Sequence, residues 1–377
     1  MVSGLDDEPT AYLGLARFNN TLDFDFELTS TATHKATVTY ALTDAPPDGA
    51  WPVLVLFNGL GGHRLIATLI EGLAREHRVQ LLTLDKPGAR GSSLPVALPL
   101  EARTRWMHAA LLAVLAHHRI TRFAALSHSN GLFYALYTLL HLPAALAVTS
   151  WTLTGPFVPQ SISGSAALRL AAALPAPLPN ALGTLLQAAP PVSAALRWSG
   201  GLLSTSAALL GCTGAGAPPP PHRRGFVERH ASAPLRAETT RRALVESRVS
   251  IGQEALLSLH GGRTAGDSTS AGGAQDSVWG LGGGATDADV LRGAFQRLAA
   301  RGCGAGDTDT LPVYVVYGAA DGMVPAQGRR WLKSVLESTG LLRAEDASRA
   351  WTEVPDAGHD DVVFLEDVVS RIFERVQ

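Results

Sequence analysis

F-A-A-L-S-H-S-N-G-L-F-Y-A-L-Y, running from Phe123 to Tyr137, is the stretch on which the fold turns. Phe123 to Leu126 is a short uninterrupted apolar run, Ser127 to Asn130 are small or polar, and a second apolar segment, Leu132 to Leu142, has the length of a helix. Strands covered on both faces read as continuous apolar runs, whereas half-exposed ones alternate. Runs of the first kind recur at Val53 to Phe57, Val79 to Leu84, Ala145 to Leu153 and Val313 to Tyr317. Amphipathic segments lie between them at Leu65 to His77, Glu101 to His118 and Leu132 to Leu142, with another at Ala326 to Ser338. Strand and helix in alternation predict an α/β protein with a mostly parallel central sheet and helices on both faces. Ahead of this, Leu22 to Leu28 and Ala36 to Leu42 alternate, predicting two half-exposed antiparallel strands before a turn at Asp44 to Gly49.

The alternation stops at about Phe157 and resumes at Leu311. Residues 1–156 and 310–377 are therefore read as one core domain, and 157–309 as a mostly helical cap insertion. The insertion opens with Ala-, Leu- and Pro-rich pieces up to Leu210, passes a Pro218 to Pro221 run, and continues as a charged helical stretch from Phe226 to Arg248. Within it, Gly261 to Thr286 has few large apolar residues and is expected to form a flexible loop, because it buries too little surface to offset ordering. A final amphipathic helix is expected from about Asp361 to Val376.

Composition narrows the function classes. With 46% hydrophobic and 17% charged residues and a formal net charge of -2, the chain gives no reason to expect nucleic acid or anionic lipid as a partner. Cys212 and Cys303 lie in Gly-rich stretches outside any Cys/His ligand pattern, so no disulfide framework and no zinc site are expected. The residues around Asp6, Asp7 and Glu8 lack the basic and apolar regions of a secretory signal, and a cytoplasmic location is the expectation. Leu170 to Leu196 carries no charge, yet Pro175, Pro177, Pro179, Pro190 and Pro191 break the continuous helix of roughly 20 residues that a membrane span requires.

The segment S-H-S-N-G, Ser127 to Gly131, resembles the nucleophile elbow of the α/β hydrolases, usually written G-x-S-x-G. Ser127 stands where that pattern has glycine. The resemblance implies a strained strand-to-helix turn with Ser129 at its tip and the Asn130 N–H free to bind an oxyanion. The family's chain order of serine, acid and histidine is continued by V-Y-V-V-Y-G-A-A-D-G-M-V-P, which places Asp321 past a strand, and by W-T-E-V-P-D-A-G-H-D-D, which places His359 before the last helix. Asp356, Asp360 and Asp361 compete with Asp321 as partner of the histidine, although Asp360 reads more simply as a helix cap.

L-V-L-F-N-G-L-G-G-H-R follows the first parallel strand, where the resemblance implies a second oxyanion donor, here the Leu60 N–H. Gly59, Gly61 and Gly62 match neither a dinucleotide fingerprint nor a P-loop. L-D-K-P-G-A-R-G-S-S resembles the family's D-x-P/R-G-x-G-x-S loop, which implies a structural role for Asp85 and Arg90 as a charged pair beneath the site.

Taken together, these resemblances imply a serine hydrolase that cleaves an ester, thioester or amide, with catalytic Ser129, His359 and Asp321 and no cofactor or metal. The insertion from Ala166 to Leu210, charged only at Arg169 and Arg197, points to a cap that selects an apolar small molecule. An acyltransferase or carbon-carbon bond hydrolase using the same residues, or a hydrolase-fold binding protein without turnover, are the alternatives. Substrate identity and oligomeric state are not legible in the chain.

Overall fold

The computed structural model describes residues 8–46, 51–94, 96–181, 184, 230–259, 277, 279–284, 286–301, 311–342 and 347–377. Most of the loop expected at 261–286 lies outside them, as do Pro190, Pro191, the Pro218 to Pro221 run, Cys212 and Cys303.

Eight strands form one sheet: β1 (Asn20–Thr29), β2 (Ala32–Leu42), β3 (Val53–Phe57), β4 (Gln80–Leu84), β5 (Arg122–His128), β6 (Ala147–Thr154), β7 (Val313–Gly318) and β8 (Trp351–Val354). Their spatial order is β1-β2-β4-β3-β5-β6-β7-β8. β1 and β2 pair antiparallel, β2 joins β4 antiparallel, and every pairing from β4 to β8 is parallel. The alternating pattern of Leu22 to Leu28 is thus a hairpin edge, and the uninterrupted runs are the parallel interior. The register places Phe57 beside Ser127 and His128 beside Thr154, so the carboxyl ends of β3, β5 and β6 meet at one rim.

The longer helices are α1 (Ala67–Glu76), α2 (Arg103–His117), α3 (Gly131–His141), α4 (Ala233–Glu246), α5 (Arg248–Leu259), α6 (Asp287–Arg301), α7 (Ala326–Ser338) and α8 (Glu366–Glu374). Successive strand side chains point to opposite faces, and the two cores divide accordingly. Val53, Val55 and Phe57 join α2, α3, α6 and α7 in one core, while Leu54 and Leu56 join α1 and α8 in the other. The last helix is shorter than expected: Asp361–Val363 is a 3-10 turn, and the helix begins only at Glu366, after Leu365 in an extended conformation.

Among the described residues, 157–301 add helices and no strand to the sheet. α6 packs Val290, Leu291, Phe295 and Leu298 into the same core as α3, with Phe295 stacked on Trp151. α4 and α5 lie beside the loops at the sheet's rim, α4 against the turn Arg64–Ile66 and α5 against the turn Leu100–Ala102. Among the described residues no helix is long and apolar enough to cross a membrane.

Candidate active site

Ser129 has φ 51°, a left-handed conformation that an L-residue adopts at a steric cost. The surroundings enforce it. The Ser129 N–H donates to the Thr154 carbonyl (3.1 Å), and the Ser129 carbonyl accepts from the Leu132 and Phe157 N–H groups (3.2 Å each). Gly131 is required at the start of α3, because a Cβ there would lie 2.1 Å from the Phe57 carbonyl oxygen. Ser127 is tolerated where the pattern has glycine because its Oγ accepts the indole N–H of Trp151 at 3.0 Å, which leaves the added hydroxyl bonded in the interior.

His359 hangs on the loop after β8, and Asp321 follows β7. The loop passes so close to β7 that a Cβ on Gly318 would sit 2.1 Å from the Ala357 carbonyl oxygen. The structure brings the two residues and Ser129 together: His359 Nε2 lies 2.9 Å from Ser129 Oγ, and His359 Nδ1 lies 2.8 Å from Asp321 Oδ2. Asp321 is itself fixed, with Oδ1 accepting from the Met323 and Val324 N–H groups at 2.8 and 2.9 Å. All three residues are at most 5% exposed. Burial disfavours charge on the His359 ring, but the Asp321 carboxylate, its hydrogen bond and the charge of Asp360 outweigh this and raise its pKa to about 9.

The competing carboxylates have other work. Asp360 was expected as a helix cap, yet its side chain makes no capping bond, and Oδ1 meets His128 Nε2 at 3.0 Å. Asp361 accepts the Gly358 N–H at 2.7 Å, and Asp356 occupies a turn with φ 58°. His128 was not singled out from the sequence, although its place next to Ser129 in the elbow is a usable signal. Its Nδ1 meets the Thr154 carbonyl at 3.0 Å.

The loop carrying Leu60 lies against the serine, since a Cβ on Gly59 would be 3.0 Å from Ser129 Cβ. Among the described residues, neither the Leu60 nor the Asn130 N–H donates to a backbone carbonyl.

One expectation is corrected. Arg90 is exposed and does not pair with Asp85; its N–H donates to the Glu246 carbonyl. The fully buried Asp85 instead accepts from the Arg64 N–H (2.7 Å), the Arg64 guanidinium (2.6 Å) and Thr39 Oγ1 (2.6 Å). The turn around Arg90, with Gly88 at φ 86° before it and Gly91 at φ 88° after it, carries Arg90 outward, while Arg64 enters from the loop after β3.

His128, His359 and Asp360 offer potential metal-ligand atoms within 4.8 Å of one another, as do His63, Asp85 and Glu246. In the second group the Arg64 guanidinium stands among the ligands, bonding Asp85, Glu246 and the His63 ring, and supplies the cation. In the first group, hydrogen bonds to Asp321, Ser129 and Thr154 engage the ring nitrogens.

A cavity opens beside Ser129 and His359 and runs along the sheet face covered by α1 and α8. Its apolar lining includes Leu56, Leu60, Ile66, Ile70, Leu126, Val369, Ile372 and Phe373.

The sequence matches no protein-family model and no curated protein. Solved structures are similar in fold. A bromoperoxidase from Bacillus anthracis aligns with 94% of this chain and 99% of its own at 12% identity and a TM-score of 0.52. A membrane phospholipase A, described as a bacterial virulence factor, aligns with 98% of this chain and 89% of its own at 13% identity and the same TM-score. The chain has the α/β-hydrolase fold. Within this hydrolase fold, the two neighbours carry different activities in their names, so the site's own residues must argue the reaction.

Proposed function

We propose that the chain is a serine hydrolase acting on an ester, thioester or amide of an apolar small molecule. The observation that carries this reading is the line from Ser129 Oγ through the His359 ring to Asp321, at 2.9 and 2.8 Å, with the serine held in a left-handed turn. With its Nδ1–H donating to Asp321, neutral His359 presents the Nε2 lone pair to the Ser129 hydroxyl. His359 takes that proton as Ser129 Oγ attacks the carbonyl carbon. The carbonyl oxygen becomes an oxyanion held by the Leu60 and Asn130 N–H groups, each donor worth about 3 kcal/mol. His359 then protonates the leaving group, and water, deprotonated by the same ring, releases the acyl group from Ser129.

The core domain of 1–156 and 310–377 supplies each of these groups, and the helical insertion of 157–309 is proposed as the cap. Among its described residues none lines the cavity beside Ser129. The preference for an apolar acyl group therefore rests on Leu56, Ile70, Leu126 and Ile372 of the core. A buried methylene is worth about 0.8 kcal/mol, or roughly fourfold in kcat/KM per added carbon. Nitrophenyl esters from acetate to octanoate should show this rise, and a flat or falling series would refute the apolar site.

The reaction class is tested with a fluorophosphonate probe and mass spectrometry. Ser129 should be the labelled residue, and Ser129→Ala should abolish labelling and lower turnover on the order of a millionfold. Labelling elsewhere, with Ser129→Ala equally reactive, overturns the proposal.

A further inference from the structure

Lys86 follows Asp85 in the turn after β4 and is buried, at 3% exposure. Its ammonium donates to the Gly59 carbonyl oxygen at 2.7 Å and to Asn130 Oδ1 at 3.3 Å, and pairs with Glu254 Oε2 at 3.0 Å. The Gly59 carbonyl and the Leu60 N–H belong to the same peptide. In a trans peptide these two groups point in opposite directions, so a cation on the oxygen fixes the direction of the N–H and draws electron density from it. Asn130 carries the other amide beside Ser129, and its side chain is anchored between Lys86, Glu254 and Ser258 Oγ (3.0 Å).

The charges in this cluster do not balance. Glu254 accepts from Arg103 Nη2 at 2.6 Å and Nε at 2.9 Å and from the Tyr134 hydroxyl, so one carboxylate serves two cations. Burial would raise the Glu254 carboxyl, but Lys86 and Arg103 hold it below the usual carboxylate range. Burial pushes the Lys86 ammonium down. With Glu254 and the Gly59 carbonyl holding it, the protonated Lys86 reaches the Leu60 amide through one peptide. The oxyanion that forms on the substrate carbonyl oxygen as Ser129 Oγ bonds the carbon supplies the missing negative charge, while the neutral substrate does not, so the stabilisation favours the transition state over the ground state.

We propose that Lys86 is a positioning residue of the oxyanion site, acting through the Gly59–Leu60 peptide and the Asn130 side chain. This rests on the serine hydrolase reading. Glu254 lies on α5, so the insertion supplies the partner of Lys86 although Glu254 does not line the cavity beside Ser129.

The test compares the native protein with Lys86→Met and Lys86→Arg, using nitrophenyl butyrate turnover and inhibition by butaneboronic acid. The boronate's tetrahedral adduct with Ser129 is an anion and places one of its oxygens in the position of the oxyanion. Removing Lys86 leaves Arg103 and Glu254 as a one-to-one pair, which favours folding, and circular dichroism checks this. Lys86→Met should lower kcat about 100-fold, leave KM within about threefold, and weaken boronate binding by the same factor as kcat. Lys86→Arg should recover about tenfold of both losses. Should Lys86→Met fail to fold, Lys86→Gln removes the charge while keeping a donor near Gly59, and should show the same paired loss of kcat and boronate affinity. A variant that binds boronate as tightly as the native protein overturns the proposal alone, whatever its kcat. A native protein that binds no boronate, with turnover unchanged in Ser129→Ala, overturns the serine hydrolase reading and this proposal with it.

Discussion

Two histidine–aspartate pairs flank Ser129, and they are wired differently. His359 turns Nδ1 to Asp321 and leaves Nε2 facing the serine hydroxyl. His128 turns Nδ1 to the Thr154 carbonyl and Nε2 to Asp360, so both of its nitrogens face acceptors away from the hydroxyl. The two rings lie 5.3 Å apart between centroids, each buried beside a carboxylate. The residue types are the same, and the ring nitrogens differ in what they face: in the proposed reaction His359 takes the serine proton at Nε2, whereas His128 ties the loop after β8 to the elbow.

The difference should appear most strongly in Asp321→Asn. Asparagine keeps an acceptor for the Met323 and Val324 N–H groups but favours the wrong His359 tautomer, and the expected loss in kcat is about four orders of magnitude without unfolding. Asp360→Asn should cost at most about tenfold. Steady-state kinetics of the two variants, with thermal melts as controls, reverses the assignment of roles if Asp360→Asn proves the crippling change.

The pH profile sharpens the contrast. In the proposed reaction His359 must be neutral to accept the serine proton, and its pKa is raised to about 9. The value of kcat/KM should rise about tenfold per pH unit below that point and level off above it. Asp360 contributes to the raised value, so Asp360→Asn should move the rising limb to lower pH. An unmoved limb would show that the second pair does not communicate electrostatically with the first.

The smallest effect is on stability. The folded-state pKa of His359 lies above its unfolded value of about 6.5, so its contribution is fully present below that pH and is lost as pH rises through about 9. Denaturant melts between pH 6 and 10 should show this decline in the native protein and a weaker one in Asp321→Asn.

The fold was readable where local pattern and burial coincide. Val53 to Phe57 and Ala326 to Ser338 appear with the bounds that their apolar periodicity predicts. The hairpin was legible because one of its faces meets solvent, and Leu22 to Leu28 alternates accordingly. Ser129, Asp321 and His359 were singled out by their resemblance to the α/β-hydrolase motifs in chain order, and the structure brings the three within hydrogen-bond distance. What escaped was decided by distant side chains. Asp85 meets Arg64 rather than Arg90, Asp360 meets His128 rather than the helix it precedes, and Lys86 meets Glu254 from the insertion. No periodicity records such partners, because an ion pair depends on where two separate loops arrive.

The hydroxyl of Ser127 has a consequence for recognising related chains. It takes the place of a glycine hydrogen with the Trp151 indole donating to it, so the two positions are expected to change together. In Trp151→Phe the serine would hold an unbonded hydroxyl in the interior, and glycine would again be the better residue there. A pattern fixed as G-x-S-x-G passes over such chains. S-x-S-x-G with a tryptophan 24 residues beyond its first serine describes them by the contact that makes the exchange possible.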